Sequence, residues 1–117
     1  AFTSTCSEKH LPGFIKLNYE IKKKGFDDIF CLSVNDPFVM QSWLSTYEDG
    51  MEIKGIADGN AEISQFLNLH IDKSSNFMGI RCKRFAMIIK NNKIIKEIIE
   101  KPGEFKNSSA ENIMQIL

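Results

Sequence analysis

The chain has 117 residues, 43% of them hydrophobic and 26% charged, a balance that suits one globular domain and excludes a disordered segment. Fifteen basic and fifteen acidic residues cancel to zero formal charge, which removes the electrostatic case for a nucleic-acid partner; the one basic run, Lys22–Lys24, reads as the solvated last turn of a helix. No apolar stretch approaches transmembrane length and no signal peptide is visible, so no membrane role is expected. Cys6, Cys31 and Cys82 form no Cys-x-x-Cys pair, which argues against a disulfide scaffold or a zinc site.

Thr3 to Lys24 reads as helical, with a break or kink at Pro12-Gly13 and a closing Gly25. Leu11, Phe14, Ile15 and Ile21 sketch its apolar face. Asp28 to Val34 is a short apolar run and reads as a buried parallel strand. Asp36 as N-cap and Pro37 at the first helical position predict a helix to about Tyr47. Ile53 to Ala57 is the next strand, and Asp58 caps a helix over about Asn60 to Leu67. Residues 70–79 read as a loop. Lys83 to Lys90 and Lys93 to Glu100 read as a hairpin turning at Asn91-Asn92. Pro102-Gly103 ends it, and Ser108 with Glu111 has capping-box spacing before a last helix, Ala110 to Leu117.

This order predicts an α/β fold with a mixed central sheet flanked by helices, and it resembles the thioredoxin arrangement. A helix opening at residue 3 should be fed by a strand. Residues 1–117 therefore read as a single thioredoxin-like domain truncated at its N-terminus, with that strand lying before Ala1.

Cys6 stands where the first helix starts. There the dipole and the unpartnered N–H groups favour thiolate over thiol, and thiolate is the nucleophilic form. The alternative for such a cysteine is a buried small hydrophobe. Thr3 reads as a helix N-cap. Arg84 reads as a residue pairing with a surface carboxylate, and strand alternation sets it on the face opposite Lys83. His10, one turn after Cys6, is either an orienting group or a helix-surface residue, and His70 carries no signal. Cys31, among apolar neighbours, reads as buried and inert, whereas Cys82, between Arg81 and Lys83, reads as a modifiable thiol.

Four motifs carry a resemblance across nearly the whole chain. They are Thr3 to Phe14 (Thr-Ser-Thr-Cys-Ser-Glu-Lys-His-Leu-Pro-Gly-Phe), Cys31 to Met40 (Cys-Leu-Ser-Val-Asn-Asp-Pro-Phe-Val-Met), Ala57 to Asn60 (Ala-Asp-Gly-Asn) and Arg81 to Met87 (Arg-Cys-Lys-Arg-Phe-Ala-Met). Together they resemble the type II, or type five, peroxiredoxins. The resemblance implies a thiol peroxidase acting on hydrogen peroxide and organic hydroperoxides. Cys6 would be the peroxidatic cysteine, Thr3 the motif threonine and Arg84 the distant arginine. The family's proline would fall upstream of Ala1, and Ser4 stands where proline is common. The family also implies a homodimer packed near the site, over the loop before Cys6, Pro37–Met40 and Phe77–Ile80.

Some members pair a cysteine at the position of Cys31 with the peroxidatic one. Animal members carry a resolving cysteine near the last helix, where this chain has Lys106 to Ser109. That points to a one-cysteine mechanism resolved by glutathione with glutaredoxin, or by thioredoxin, with no metal, haem or nucleotide cofactor. The free thiols suit a reducing compartment inside the cell, either cytoplasm or an organelle such as a mitochondrion or plastid. Two other classes compete. Disulfide exchange lacks its Cys-x-x-Cys, and a non-catalytic redox sensor or holdase would be oxidised once by peroxide without turnover.

Overall fold

A computed structural model describes all residues, 1–117. The chain turns helical at Ser4 and stays so through a π-helical turn, Cys6–His10, into α1, Leu11–Lys16. Pro12 therefore does not break the helix. Proline has no N–H and its ring crowds the carbonyl four residues back. The widened turn, in which the Leu11 N–H reaches back to the Cys6 carbonyl, makes room just before it. The interruption comes instead at Leu17 (φ −97°, ψ 9°), after which α2 runs over Asn18–Lys23 and stops before Gly25 at φ 101°. Gly13 faces the start of the last helix closely: a Cβ there would just touch the Ala110 Cβ, at 3.4 Å.

β1 (Phe30–Ser33) and β2 (Lys54–Ala57) pair in parallel, with Cys31 opposite Gly55, and are connected through α3, Pro37–Ser45. Asp36 caps α3, accepting from the Val39 N–H at 2.8 Å. The strand is shorter than its apolar run suggested and is not buried along its length, since Phe30 is exposed. Leu11, Met40, Trp43, Leu44 and Ile53 form the core between α1, α3 and β2, and Cys6, Ile15, Cys31 and Tyr47 pack against it.

α4, Glu62–Phe66, is capped from a distance: the buried Asp58 carboxylate accepts from the Ile63 and Ser64 N–H groups and from the Ser64 hydroxyl. Residues 70–79, expected as a loop, enter a second, antiparallel ladder of β3 (His70–Asp72) and β4 (Ile80–Cys82). Asp72 accepts from the Ser74 N–H at 2.8 Å, and positive φ at Phe77 and Gly79 turns the chain back. The polar composition of the turn hid strands only three residues long.

β5 (Phe85–Lys90) and β6 (Lys93–Ile99) form the expected hairpin, turning through Asn91 (φ 51°) and Asn92 (φ 63°). Lys83 and Arg84 precede β5 instead of starting it, although the Glu100 N–H still reaches the Arg84 carbonyl at 2.9 Å. α5 spans Ala110–Ile116, and its cap is Ser109, which accepts from Asn112; Ser108 is buried and turned to Glu100, so the capping box does not form. The fold is the expected α/β thioredoxin-like one, but its strands make three separate two-stranded ladders instead of one mixed sheet. β1 and β5 each have one edge without a strand, and Ile89, Ile94, Ile95 and Ile99 on the hairpin are exposed. No helix is long and apolar enough to cross a membrane.

Candidate active site

Cys6 opens the π-turn, half-buried against the core. Its helix is held from α3 through the next residue. The Trp43 indole N–H donates to the Ser7 hydroxyl at 3.0 Å, and the Tyr47 hydroxyl donates to the Ser7 carbonyl at 2.6 Å. The two rings meet edge-on with centroids 6.3 Å apart. Two aromatic side chains, Trp43 in α3 and Tyr47 just past its end at Ser45, thus fix the thiol's position from the core side.

Across from the thiol stands Arg84. Its Nη2 lies 3.5 Å from the Cys6 Sγ, although 78 residues separate the two in the chain. The structure's two ion pairs, Lys54–Asp28 and Lys106–Glu104, do not involve it. A half-buried guanidinium without a carboxylate partner stabilises negative charge on whatever lies beside it, here sulfur. Nor do three His, Cys, Asp or Glu side chains converge to hold a metal ion.

Behind Arg84 the segment 100–108 is tied to one carboxylate. Glu100 is buried and accepts from the Lys106 and Asn107 N–H groups and from the Ser108 hydroxyl. Burial alone would raise its pKa. The three backbone N–H groups of Lys106, Asn107 and Ser108, with the Ser108 hydroxyl, outweigh it and hold the carboxyl below its ordinary 4.5. His10 Nε2 lies 3.0 Å from the Ser108 carbonyl, which it meets as the N–H donor. Burial, the largest influence, keeps this imidazole below its ordinary 6.5; the hydrogen bond to Ser108 pulls it up, the Arg84 charge pushes it further down, and Glu100 pulls it up least.

Both groups bind protons more readily in the unfolded chain, so stability must fall on acidification. The His10 contribution is complete above 6.5 and lost as pH drops through its lower folded value; that of Glu100 is complete above 4.5 and lost below. Urea midpoints should decline first below about pH 6.5, and His10→Gln should remove that first step. Glu100→Ala should cost about 2–4 kcal/mol at neutral pH by leaving the segment's N–H groups unpaired.

The Redoxin family profile matches residues 1–114. Peroxiredoxin-2D of Arabidopsis thaliana is 47% identical over the whole chain, which covers 72% of that protein. This chain belongs to the peroxiredoxins, within the redoxin family. Reduced Prx3 of Vibrio vulnificus, solved in complex with H2O2, superposes with a TM-score of 0.95 at 44% identity, over 100% of this chain and 75% of that one. The Plasmodium falciparum antioxidant protein, described as a 1-Cys peroxiredoxin, superposes at 0.90 with 37% identity, over 99% and 69%. The fold and the enzyme class are thereby settled: the chain is a thiol peroxidase of the peroxiredoxin type.

Of the expected site residues, Cys6 and Arg84 come together. Thr3 is exposed and contributes through its backbone: its carbonyl accepts from the Ser7 N–H at 2.9 Å, the first helical bond, while its hydroxyl neither caps the helix nor bonds the thiol. Arg81 serves structure, donating to the Met78 carbonyl at 2.8 Å and the Val34 carbonyl at 3.0 Å. His70 is exposed on β3. All three thiols are free. Burial first, then the Cys6 thiol, push Cys31 up to about 11 against the pull of the Ala1 ammonium, and burial also raises Cys82, so neither is poised as a thiolate. Trp43, Tyr47, Glu100 and Phe105 were missed as site-building residues. Only Trp43 and Tyr47 left a signal, as aromatics four apart on a helix that follows a strand.

Proposed function

We propose that Cys6 is the peroxidatic cysteine, that Arg84 stabilises its thiolate and the charge that develops on the peroxide oxygens, and that Thr3 borders the peroxide. The observation that carries this reading is the 3.5 Å approach of an unpaired guanidinium to the Cys6 sulfur. Cys6 thiolate attacks one oxygen of the hydroperoxide and the O–O bond breaks. Sulfur is oxidised to sulfenic acid, and the departing alkoxide or hydroxide takes a proton to leave as alcohol or water. Arg84 stays protonated throughout and gives up no proton of its own.

Reduction comes from outside the chain. One thiol attacks the sulfenic sulfur and releases water, leaving a mixed disulfide; a second thiol displaces Cys6 as thiolate and departs as the oxidised pair. Glutathione with glutaredoxin, or thioredoxin, would supply them in a reducing compartment. The half-buried, high-pKa Cys31 and the lack of any cysteine at Lys106 to Ser109 favour this one-cysteine cycle, as does the likeness to a 1-Cys peroxiredoxin. The test is steady-state consumption of tert-butyl hydroperoxide with each reductant, comparing the wild type with Cys31→Ser/Cys82→Ser. The double variant should retain wild-type turnover. Loss of turnover, with a Cys6–Cys31 disulfide trapped in the oxidised wild type, would replace this reading with a two-cysteine cycle.

Residues 1–117 act as one domain in this reading. The exposed rings of Phe38 (83%) and Phe77 (99%) favour a second copy seated over the Pro37 and Phe77 turns. Sedimentation velocity should give a dimer that Phe77→Asp dissociates; a wild-type monomer at assay concentration removes it.

A further inference from the structure

The guanidinium of Arg84 is held by little that is polar. No carboxylate pairs with it, and its buried Nε has no hydrogen-bond partner. A long cationic side chain with so few bonds has rotamer freedom to lose before it can serve a reaction. What lies against it is a ring: the guanidinium carbon sits 5.6 Å from the centroid of Phe105, within cation–π range. Partial burial of both groups strengthens that attraction, because water competes less for the cation.

Phe105 is in turn fixed on its other side. The His10 ring meets it edge-on, with centroids 5.3 Å apart and planes at 62°. Phe14 lies 5.6 Å beyond His10. The segment that carries Phe105 is anchored by Glu100 on one side and by the contact between His10 and the Ser108 carbonyl on the other. A connected path thus runs from the Cys6 helix through His10 and Phe105 to Arg84 and back to the Cys6 sulfur.

We propose that Phe105 is a positioning residue of the peroxidase reaction, its π face holding the Arg84 guanidinium in place over Cys6. This rests on the reading of Cys6 and Arg84 as the reacting pair. It assigns Phe105 a role that acts through the arginine.

The test compares Phe105→Leu, which keeps apolar bulk but removes the ring, with Phe105→Tyr, which keeps the ring. Each is made alone and with Arg84→Ala. The readouts are kcat/KM for hydrogen peroxide and the pH dependence of Cys6 alkylation by iodoacetamide. Phe105→Leu should lower kcat/KM about tenfold, or about 1.4 kcal/mol, and move the alkylation profile to higher pH. Phe105→Tyr should restore both, and in the Arg84→Ala background Phe105→Leu should have no further effect. In the wild type, ring current should move the Arg84 Nε–H proton upfield of that of Arg81, a readout that needs no variant to fold. Wild-type kinetics in Phe105→Leu beside an impaired Arg84→Ala would overturn the Phe105 role and leave the reacting pair intact. An Arg84→Ala variant as active as wild type would overturn the pair, and the Phe105 role with it.

Discussion

Cys6→Ser should have no peroxide turnover with any thiol reductant while keeping its fold. Serine is close to isosteric with cysteine, so the π-turn and the Trp43 and Tyr47 bonds to Ser7 should survive, and circular dichroism should be unchanged. The hydroxyl is a far weaker nucleophile than a thiolate and cannot cycle through a sulfenic acid. Wild-type protein exposed to one equivalent of hydrogen peroxide should gain one oxygen at Cys6; in one portion dimedone should trap the sulfenic acid as a thioether, and in another glutathione should remove the oxygen as water. Turnover that persists in Cys6→Ser would move the chemistry to another cysteine. Cys31 is the poorer candidate, since its thiol is pushed up to about 11.

Arg84→Ala should lower kcat/KM for hydrogen peroxide by about 10²–10³-fold, the usual consequence of removing one aimed donor from a site where charge develops. Two losses compound: the thiolate loses its neighbouring cation, and the peroxide oxygens lose a donor as the O–O bond stretches. Arg84→Lys should recover only part, because a single ammonium cannot span sulfur and oxygen as the planar fork does. Stability should change little, since the half-buried guanidinium has no carboxylate partner to lose and its removal relieves part of a desolvation cost. A drop of less than about threefold would be too small for a charge-stabilising role. In that case the 3.5 Å approach to sulfur would be packing alone.

The two predictions rest on residues with different histories in the sequence. Cys6 was legible because its cue is local: the helix start, with polar residues before it and Leu-Pro-Gly after it, lies within a dozen residues. The same holds for the Asp36-Pro37 start of α3 and the Asn91-Asn92 turn, where steric demands act over two or three residues. Arg84 was found through a motif resemblance; its own neighbourhood favoured a surface ion pair, which the structure does not form. Misreadings gathered where local rules compete. Proline's demand for space was met by a π-turn instead of a kink, so the helix ran on to Leu17. Ser108 and Ser109 are equally good caps by chemistry, and the buried Glu100 carboxylate claimed the first and left the second to α5.

The sequence by itself singled out Cys6 and determined the thioredoxin-like class and, apart from the β3–β4 ladder, the order of helices and strands, because helix caps, turn residues and apolar runs act within a few residues of one another. Only the tertiary structure decided what surrounds Cys6. The 78-residue approach of Arg84, the Phe105 ring behind it and the Trp43 and Tyr47 clamp on Ser7 come from segments with no periodic relation to Cys6. Packing of α1 against α3 and α5 sets those distances, and no local propensity encodes them.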